Sequence, residues 1–181
     1  MKANLPLTTE FVEELNIGDV LELTGYIYTA RDAAHKRMVE AIEREEKLPI
    51  ELENQTIFYA APCPAPPDKS IGSIGPTTSV RMDPYVETLL KEGLIAMIGK
   101  GDRSDYIPPL MKKYKAVYLL GIGGAAAIMA RKVKEAREIA YEDLGPESIK
   151  ELYVENLKVI VGIDTKGRIL QEEGIAKYQK I

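Results

Sequence analysis

Cysteine and histidine are nearly missing from this sequence of 181 residues, which contains one of each, Cys63 and His35. A single cysteine excludes an internal disulfide. Zinc sites and iron–sulfur clusters need about three or four thiolate or imidazole ligands, so this chain alone cannot complete either kind of site. Any metal centre connected with its function must therefore take most of its ligands from another chain.

A surplus of basic charge is also missing. The chain has 24 Lys and Arg residues against 28 Asp and Glu residues, a formal net charge of -4. Nucleic-acid-binding proteins normally carry a basic surface that neutralises phosphates. The charge balance therefore argues against a nucleic-acid partner.

No apolar run is long enough to cross a bilayer, which takes about 20 consecutive apolar residues. The most apolar stretch, 117–130, is interrupted by three glycines. Residues 1–6 lack the apolar centre of a signal peptide. We therefore expect a cytoplasmic protein that does not interact with membranes.

The order of hydrophobic patterns predicts an α/β fold with a central, mostly parallel sheet flanked by helices and an additional β layer. Apolar runs predict strands at 19–28, 56–60, 94–98, 116–120, 136–141 and 151–163. Helical spacing predicts helices at about 30–47, 78–92, 104–114 and 125–133, while 1–18 reads as an extended arm or edge strand. The length suits a single domain, 1–181.

Local signals predict where the helices begin. Thr29 and Asp32 fit a Thr-x-x-acid capping pattern, and Ser104 is the cap candidate for the third helix. Asp83 and Pro84 are the alternative start of the second helix, with Asp83 as the cap and Pro84 in the first turn.

The most informative segment is Gly75-Pro76-Thr77-Thr78-Ser79-Val80-Arg81-Met82-Asp83, in which two adjacent threonine hydroxyls and an arginine follow a Gly-Pro turn. A helix that begins here would expose unpaired backbone N–H groups, which favour an anion. Arg81 can bind a carboxylate through two hydrogen bonds, and Thr77 and Thr78 can position or exchange a proton. A capped helix end with a surface arginine is the simpler interpretation, and the sequence leaves both open.

Two more cations follow predicted strands. Arg31 lies in the first helical turn, where a positive charge opposes the helix dipole, and Lys100 stands between two glycines that allow close backbone approach. A solvated arginine and a tight turn with an exposed lysine are the alternatives. Because ligands of α/β sheets bind at the carboxyl ends of strands, we expect these cations and Thr77 to share one edge, suited to a dicarboxylate or hydroxy acid.

Three further features carry weaker signals. His35 is expected at the edge of the core, or in a role that orients a site residue. Cys63 lies between two prolines and is either a reactive or an incidental thiol. Gly121-Ile122-Gly123-Gly124 resembles half of a dinucleotide-binding fingerprint, but Ala126 stands where the third glycine is required, so close strand–helix packing explains these glycines better.

Three blocks together resemble a known family: Thr29-Ala30-Arg31-Asp32-Ala33-Ala34-His35-Lys36-Arg37, the Gly75 to Asp83 segment, and Ile98-Gly99-Lys100-Gly101-Asp102. They are similar to the blocks of the β subunit, or C-terminal domain in fused enzymes, of class I fumarate hydratases. Tartrate dehydratase β subunits share them. The resemblance covers nearly the whole chain and implies a swivelling β/β/α fold.

The resemblance implies a role for each candidate residue. Arg31, Arg81 and Lys100 would bind the substrate carboxylates, with Thr78 beside them. Thr77 would be the catalytic base that removes a C–H proton in the reversible hydration of fumarate to (S)-malate.

A partner subunit is also implied by the resemblance. An α subunit would carry three cysteine ligands and a [4Fe-4S] cluster, whose open iron would act as a Lewis acid, in an α2β2 assembly. This chain would supply no metal ligand and would be inactive alone. The family often has Ala-Gly at Ser79-Val80, where substrate fit is expected to vary. The alternatives are an L-tartrate dehydratase β subunit, another hydro-lyase for a C4–C5 acid, or a stand-alone small-anion-binding module.

Overall fold

The structure, a computed structural model, describes residues 1–122 and 126–179. The strands within these residues are β1 (Lys2–Asn4), β2 (Val20–Thr29), β3 (Thr56–Phe58), β4 (Ala96–Gly99), β5 (Val117–Gly121), β6 (Val133–Ala140) and β7 (Ile149–Ile163). The α-helices are α1 (Thr9–Glu14), α2 (Asp32–Glu43), α3 (Asp83–Lys91), α4 (Ile107–Tyr114), α5 (Ala126–Ala130) and α6 (Leu170–Tyr178). Short 3-10 helices span Ser79–Met82 and Glu142–Glu147.

The strands form one mixed sheet whose pairings return to their starting point. Strands β1 to β5 pair in chain order, and all of these pairs are parallel. Strand β7 pairs antiparallel with β5 and β6, and also with β2. Strands β2, β3, β4, β5 and β7 therefore form a closed ring of hydrogen-bonded pairs. The prediction of an α/β fold with a central sheet flanked by helices is confirmed.

Side chains along the strands alternate between two hydrophobic cores. In β4, Ala96 and Ile98 belong to a core shared with β2, β5 and β7, whereas Met97 belongs to a core shared with α2, α3 and α4. Strand β5 repeats the pattern, with Tyr118 on the side of the helices. This period of two is the pattern of strands that are buried on both faces. An additional β layer was predicted, but β6 and β7 are hydrogen-bonded into the same seven-stranded sheet as the other strands.

The helix starts differ from the predictions. Thr29 does not cap α2, because it ends β2 and its Oγ1 accepts a hydrogen bond from the Lys150 amide of β7 at 3.2 Å. Arg31 is the N-cap residue, with an extended backbone and no side-chain capping bond. Helix α4 begins at Ile107 rather than at Ser104, whose carbonyl accepts the Ile107 amide at 2.9 Å. At Thr29, cross-strand pairing has taken the hydroxyl that the capping pattern would use.

Two helices near the ends of the sequence were not predicted. Residues 1–18 contain the edge strand β1, as expected, but also α1, whose N-cap Thr8 accepts the Phe11 amide at 3.2 Å. Helix α6 contains Gly174 and leaves Ile175 and Tyr178 exposed, so its sequence has little amphipathic signal.

The fold brings the ends of three parallel strands to one edge. Arg31 follows β2, Tyr59 follows β3 and Lys100 follows β4. The loop after β3 runs back to this edge, where the Thr77 amide donates to the Tyr59 carbonyl at 2.7 Å. The expectation that these segments share an edge is therefore met by the backbone.

Gly99 makes the close approach of these segments possible. A Cβ atom at this position would lie 1.8 Å from Ser79 Oγ and 3.0 Å from Tyr59 Cδ2, in a part of the chain where both neighbours are fully buried. Any larger residue would push the Ser79 segment away from the end of β4.

We predict that Gly99→Ala lowers the free energy of unfolding by about 1 to 3 kcal/mol, the usual cost of overpacking a core. Urea unfolding of the full chain measures it. Gly174→Ala in α6 is the control, because nothing lies within 4 Å of its Cβ position, and it should be neutral or stabilising. Adding Ser79→Ala removes the nearest clashing atom and should restore part of the loss. Equal stability of Gly99→Ala and the natural chain would contradict the packing described here.

Candidate functional site

Backbone hydrogen bonds place Thr77, Thr78 and Lys100 side by side. The Lys100 amide donates to the Thr77 carbonyl at 3.3 Å, and the Ser79 amide donates to the Lys100 carbonyl at 3.0 Å. Thr78 and Lys100 thus form a short parallel bridge that extends β4. Two of the predicted blocks are joined here by main-chain contacts.

The helix that follows this bridge differs from the predicted one. A 3-10 helix of four residues, Ser79–Met82, precedes α3, which begins at Asp83 with Pro84 in its first turn. The restart alternative is therefore correct in position, although the Asp83 carboxylate does not cap the helix. The amides of Thr77 and Ser79 already donate to carbonyls, so the predicted set of free N–H groups is not present at these two positions.

Arg31 and Arg81 meet on one carboxylate. Arg81 Nη2 lies 2.7 Å from Asp32 Oδ2, and Arg31 Nη2 lies 3.9 Å from the same oxygen and 3.3 Å from Glu147 Oε1. The Arg81–Asp32 contact is a charge pair whose angles do not make it a well-aligned hydrogen bond. Asp32 and Glu147 were missed as site residues, although Asp32 stands directly after Arg31 in the sequence.

The predicted site residues form an open surface. Thr78, Arg81 and Lys100 are exposed, and Arg31 and Thr77 are half-buried. Arg31, Arg81 and Lys100 are cations that can hold carboxylate groups of a ligand through charge-assisted hydrogen bonds.

A cleft of about 390 Å³ lies elsewhere, between the Pro62–Ala65 loop and β6, and none of the predicted site residues lines it. Its cations are neutralised by neighbours, since Arg137 pairs with Glu151 and Lys150 with Glu138. We place the candidate site on the open cationic surface because Arg31 and Arg81 meet there on Asp32 and because backbone bonds bring the Thr77 and Lys100 segments to the same edge.

His35 is buried directly behind Arg31. Its side chain is fully enclosed, its Nδ1 lies 2.9 Å from the Arg31 carbonyl, and its ring packs edge-on against Tyr59 at 5.2 Å between centroids. Burial lowers the pKa of His35 to about 4, so the ring is neutral at pH 7, with Nδ1–H donating to Arg31. Both alternatives from the sequence therefore describe it: a core histidine that also holds the backbone of a site residue.

A polar layer that the sequence did not reveal lies beneath the site. Asp83 accepts hydrogen bonds from Arg103 Nε at 2.6 Å and from the Ser104 amide at 2.7 Å. Tyr118 donates to the Gly101 carbonyl at 3.0 Å and pairs with Ser79 Oγ at 2.8 Å. Asp83 ends the Gly75 to Asp83 segment, and Gly101 and Arg103 follow Lys100, so proximity in sequence was the available signal.

Ser79 and Val80 point in different directions. Ser79 is fully buried against Tyr118, whereas Val80 is 43% exposed next to Arg81. Any effect of this pair on substrate fit is therefore expected from Val80.

The first glycine of the Gly121 to Gly124 segment, which ends β5, is explained by packing. A Cβ atom on Gly121 would lie 3.0 Å from Pro76 Cγ, so this glycine lets the loop that carries Thr77 approach the sheet. Gly123 and Gly124, the remainder of the half-fingerprint, lie outside the described residues.

Within residues 1–122 and 126–179, no group of three or more His, Cys, Asp or Glu side chains is arranged to hold a metal ion. Cys63 is exposed on a loop, and His35 is buried with Nδ1 engaged by Arg31. These residues do not fit a metal ion or an iron–sulfur cluster held by this chain alone. In the same residues, no helix combines the length and apolarity that a membrane crossing requires.

We predict that acid destabilises the chain partly through His35. The unfolded chain protonates this ring near pH 6.5 and the folded chain only near pH 4, so the unfolded state binds more protons in between and stability falls as pH falls. Between pH 7 and pH 4.5 the loss amounts to roughly 2 to 3 kcal/mol. His35→Asn keeps a donor for Arg31 and cannot titrate. Urea unfolding at both pH values should show a smaller loss for this variant, and equal losses would refute the assignment.

Comparison with known proteins agrees with the three blocks. The family model described as "Fumarase C-terminus" matches residues 1–174. A protein of Methanocaldococcus jannaschii, assigned as an L(+)-tartrate dehydratase subunit beta, is 38% identical over 182 residues, which cover 97% of this chain and 93% of that protein.

Longer relatives match with a similar identity. Fumarate hydratase 1, mitochondrial, of Leishmania major is 37% identical over 169 residues, and the aerobic class I fumarate hydratase of Salmonella typhimurium is 36% identical over 169 residues. The match covers 91% of this chain in both cases, but only 31% and 29% of those two proteins. This chain therefore spans about a third of the length of these fumarate hydratases and nearly all of the M. jannaschii protein, and it belongs to the fumarase C-terminal family.

Proposed function

We propose that this chain, as one domain of the swivelling β/β/α type, is the β subunit of an iron–sulfur hydro-lyase that reversibly hydrates fumarate to (S)-malate. The observation that carries the proposal is that Arg31 and Arg81 meet on Asp32 while the backbone of Lys100 is bridged to the Thr77–Thr78 segment at the same sheet edge. Family membership supports the class of reaction, because relatives are named as fumarate hydratases and as a tartrate dehydratase subunit.

The three cations suit a substrate with two carboxylates. Arg31 and Arg81 can exchange their contacts with Glu147 and Asp32 for substrate oxygens, while those carboxylates keep the guanidinium groups oriented in the free chain. Lys100 stands beside Thr77, where its charge can stabilise the negative charge that builds on the substrate when a C–H proton leaves.

Thr77 is the proposed proton acceptor. In the dehydration direction, the proton on the carbon next to the hydroxyl-bearing carbon passes to the Thr77 side chain, and the C–H electron pair forms the double bond of fumarate. The hydroxyl group leaves with the electron pair of the C–O bond, and together with the abstracted proton it makes up the water that is released. A threonine hydroxyl is a weak base at neutral pH and needs a positive field to act. Lys100 is bridged to the same segment, and Arg81 lies four residues further on, so this chain supplies that field itself.

The [4Fe-4S] cluster is assigned to an α subunit, since the residues of this chain do not fit one. We further propose an α2β2 assembly in the cytoplasm and no activity for this chain alone. The half-buried and exposed positions of the proposed site suit a surface that a second subunit completes.

L-tartrate dehydration is the second candidate. It is favoured by the M. jannaschii protein, whose length this chain matches almost throughout. Tartrate and malate share two carboxylates and a hydroxyl, so the same cations and Thr77 would serve either substrate.

Co-expression with a candidate α chain tests the proposal. We expect a stable complex that, after anaerobic cluster reconstitution, interconverts malate and fumarate and leaves no activity in either chain alone. Activity only with L-tartrate would select the second candidate. Failure to form any complex, together with malate binding by this chain alone in calorimetry, would support a stand-alone anion-binding module and refute the subunit assignment.

We predict that Thr77→Val in the reconstituted complex lowers kcat about 100- to 10,000-fold, the usual contribution of a general base, with KM nearly unchanged. Thr77→Ser restores the hydroxyl and should recover much of the rate. Thr88→Val in α3 is the control for loss of a threonine hydroxyl outside the site. A steady-state assay on malate measures all three, and near-normal turnover of Thr77→Val would remove this residue from the role.

A further inference from the structure

Three ties connect the two segments that carry the proposed site. The first is the backbone bridge between Thr78 and Lys100. The second runs from Ser79 Oγ through the Tyr118 hydroxyl to the Gly101 carbonyl. The third, described above, is the Asp83 carboxylate with Arg103 Nε and the Ser104 amide.

The Asp83–Arg103 pair is unusual because it is sealed from water. Both side chains are 1% exposed, and Arg103 Nη1 and Nη2 have no hydrogen-bond partner within the described residues. Removing two charges from water carries a large desolvation cost, and a buried pair offsets this cost only when its remaining donors are satisfied. Net stability is therefore a weak explanation for this pair.

Two tyrosine rings enclose the Arg103 guanidinium. Its Cζ lies 4.7 Å from the Tyr118 ring centroid and 5.6 Å from that of Tyr59. The rings replace water with a weak attraction for the cation and fix the plane of the guanidinium. Burial raises the pKa of Tyr118 to about 12, so its hydroxyl stays protonated and keeps its proton for the Gly101 carbonyl.

The position of the pair explains what it can do. Asp83 lies two residues after Arg81, and Arg103 lies three residues after Lys100. Tyr118 lies on β5, next to β4, which makes it a rigid anchor between the segments. A fixed Asp83–Arg103 contact therefore fixes the separation of Arg81 and Lys100.

We propose that Arg103, Asp83 and Tyr118 are positioning residues, which set the spacing of Thr77, Arg81 and Lys100 without touching substrate. This inference rests on the proposed function for its effect on turnover, whereas its effect on local structure is independent of that function. Misplacement of a catalytic group by about 1 Å can lower the rate about a hundredfold. Buried residues that fix the position of catalytic groups therefore affect the rate without contacting substrate.

Tyr118→Phe tests the positioning role because it removes only the hydroxyl oxygen and keeps the ring beside Arg103. In the isolated full chain, we expect amide hydrogen exchange of Ser79 and Lys100 to become about tenfold faster, the effect of losing hydrogen bonds that hold these segments. Exchange of the Val117 amide, which donates to Ile95, should not change. In the reconstituted complex, kcat should fall at least about tenfold with a smaller change in KM.

Tyr114→Phe is the matched control, because it removes a tyrosine hydroxyl bonded to Glu87 on the α4 surface. It should leave exchange at Ser79 and Lys100, and turnover, unchanged. If Tyr118→Phe does not fold, Ser79→Ala is the second variant, because it removes the hydrogen bond between Ser79 Oγ and the Tyr118 hydroxyl. Its effect should be smaller, since the Tyr118 hydroxyl still donates to the Gly101 carbonyl. The double variant should be no worse than Tyr118→Phe, because both changes delete the same contact.

Selective acceleration of exchange at Ser79 and Lys100, with loss of turnover, supports the proposal. Unchanged exchange overturns it, and so does faster exchange with full turnover. If the reconstituted complex with the unchanged chain converts none of malate, fumarate and tartrate, the proposed function is refuted. The exchange rates would still decide whether Asp83, Arg103 and Tyr118 hold the two segments together. Arg103→Lys keeps the positive charge but loses the planar guanidinium, and it should accelerate amide exchange as Tyr118→Phe does. Exchange at Ser79 and Lys100 as slow as in the natural chain would also overturn the proposal.

Discussion

The pairing of β7 along both of its edges is the constraint on which the rest of the structure depends. One edge of β7 pairs with β2, and the other pairs with β5 and β6, so the sheet closes on itself. Closure encloses the core that β2, β4, β5 and β7 share. Within the closed sheet, the parallel pairing of β2, β3 and β4 brings the carboxyl ends of these strands to one edge, where Arg31, Tyr59 and Lys100 follow them and the Thr77 amide returns to Tyr59.

Local contacts then convert this edge into a site. Gly99 has no Cβ, so Ser79 can lie against the end of β4 and place the Thr77–Arg81 segment beside Lys100. Arg31 and Arg81 are held by Asp32 and Glu147 rather than left free. Cations that are oriented by nearby carboxylates lose less conformational entropy when they bind a ligand, so the arrangement suits recognition of small dicarboxylates.

The sequence predicts the regular parts well, because period-two and helical patterns report which faces are buried. It predicted strands at 94–98 and 116–120 close to where β4 and β5 lie, and it placed Arg31, the Thr77 segment and Lys100 at one edge. Capping signals failed where longer-range pairing competed, as when β7 took the hydroxyl of Thr29. Asp32, Glu147 and Arg103 could not be found by pattern, since their partners are set by packing between elements that are distant in sequence.

Buried polar residues behind the candidate site explain how its exposed side chains are held in fixed positions. On the proposed function, a second subunit completes this site, so the site must remain open in this chain and its cations cannot be fixed by enclosure. Rigidity has to come from behind, where His35 holds the Arg31 carbonyl and Tyr118 joins the Ser79 and Gly101 segments. On the proposed function, these buried contacts exchange no atoms with a substrate and yet set where Thr77 and Lys100 stand, so we expect small displacements there to weaken turnover more than folding.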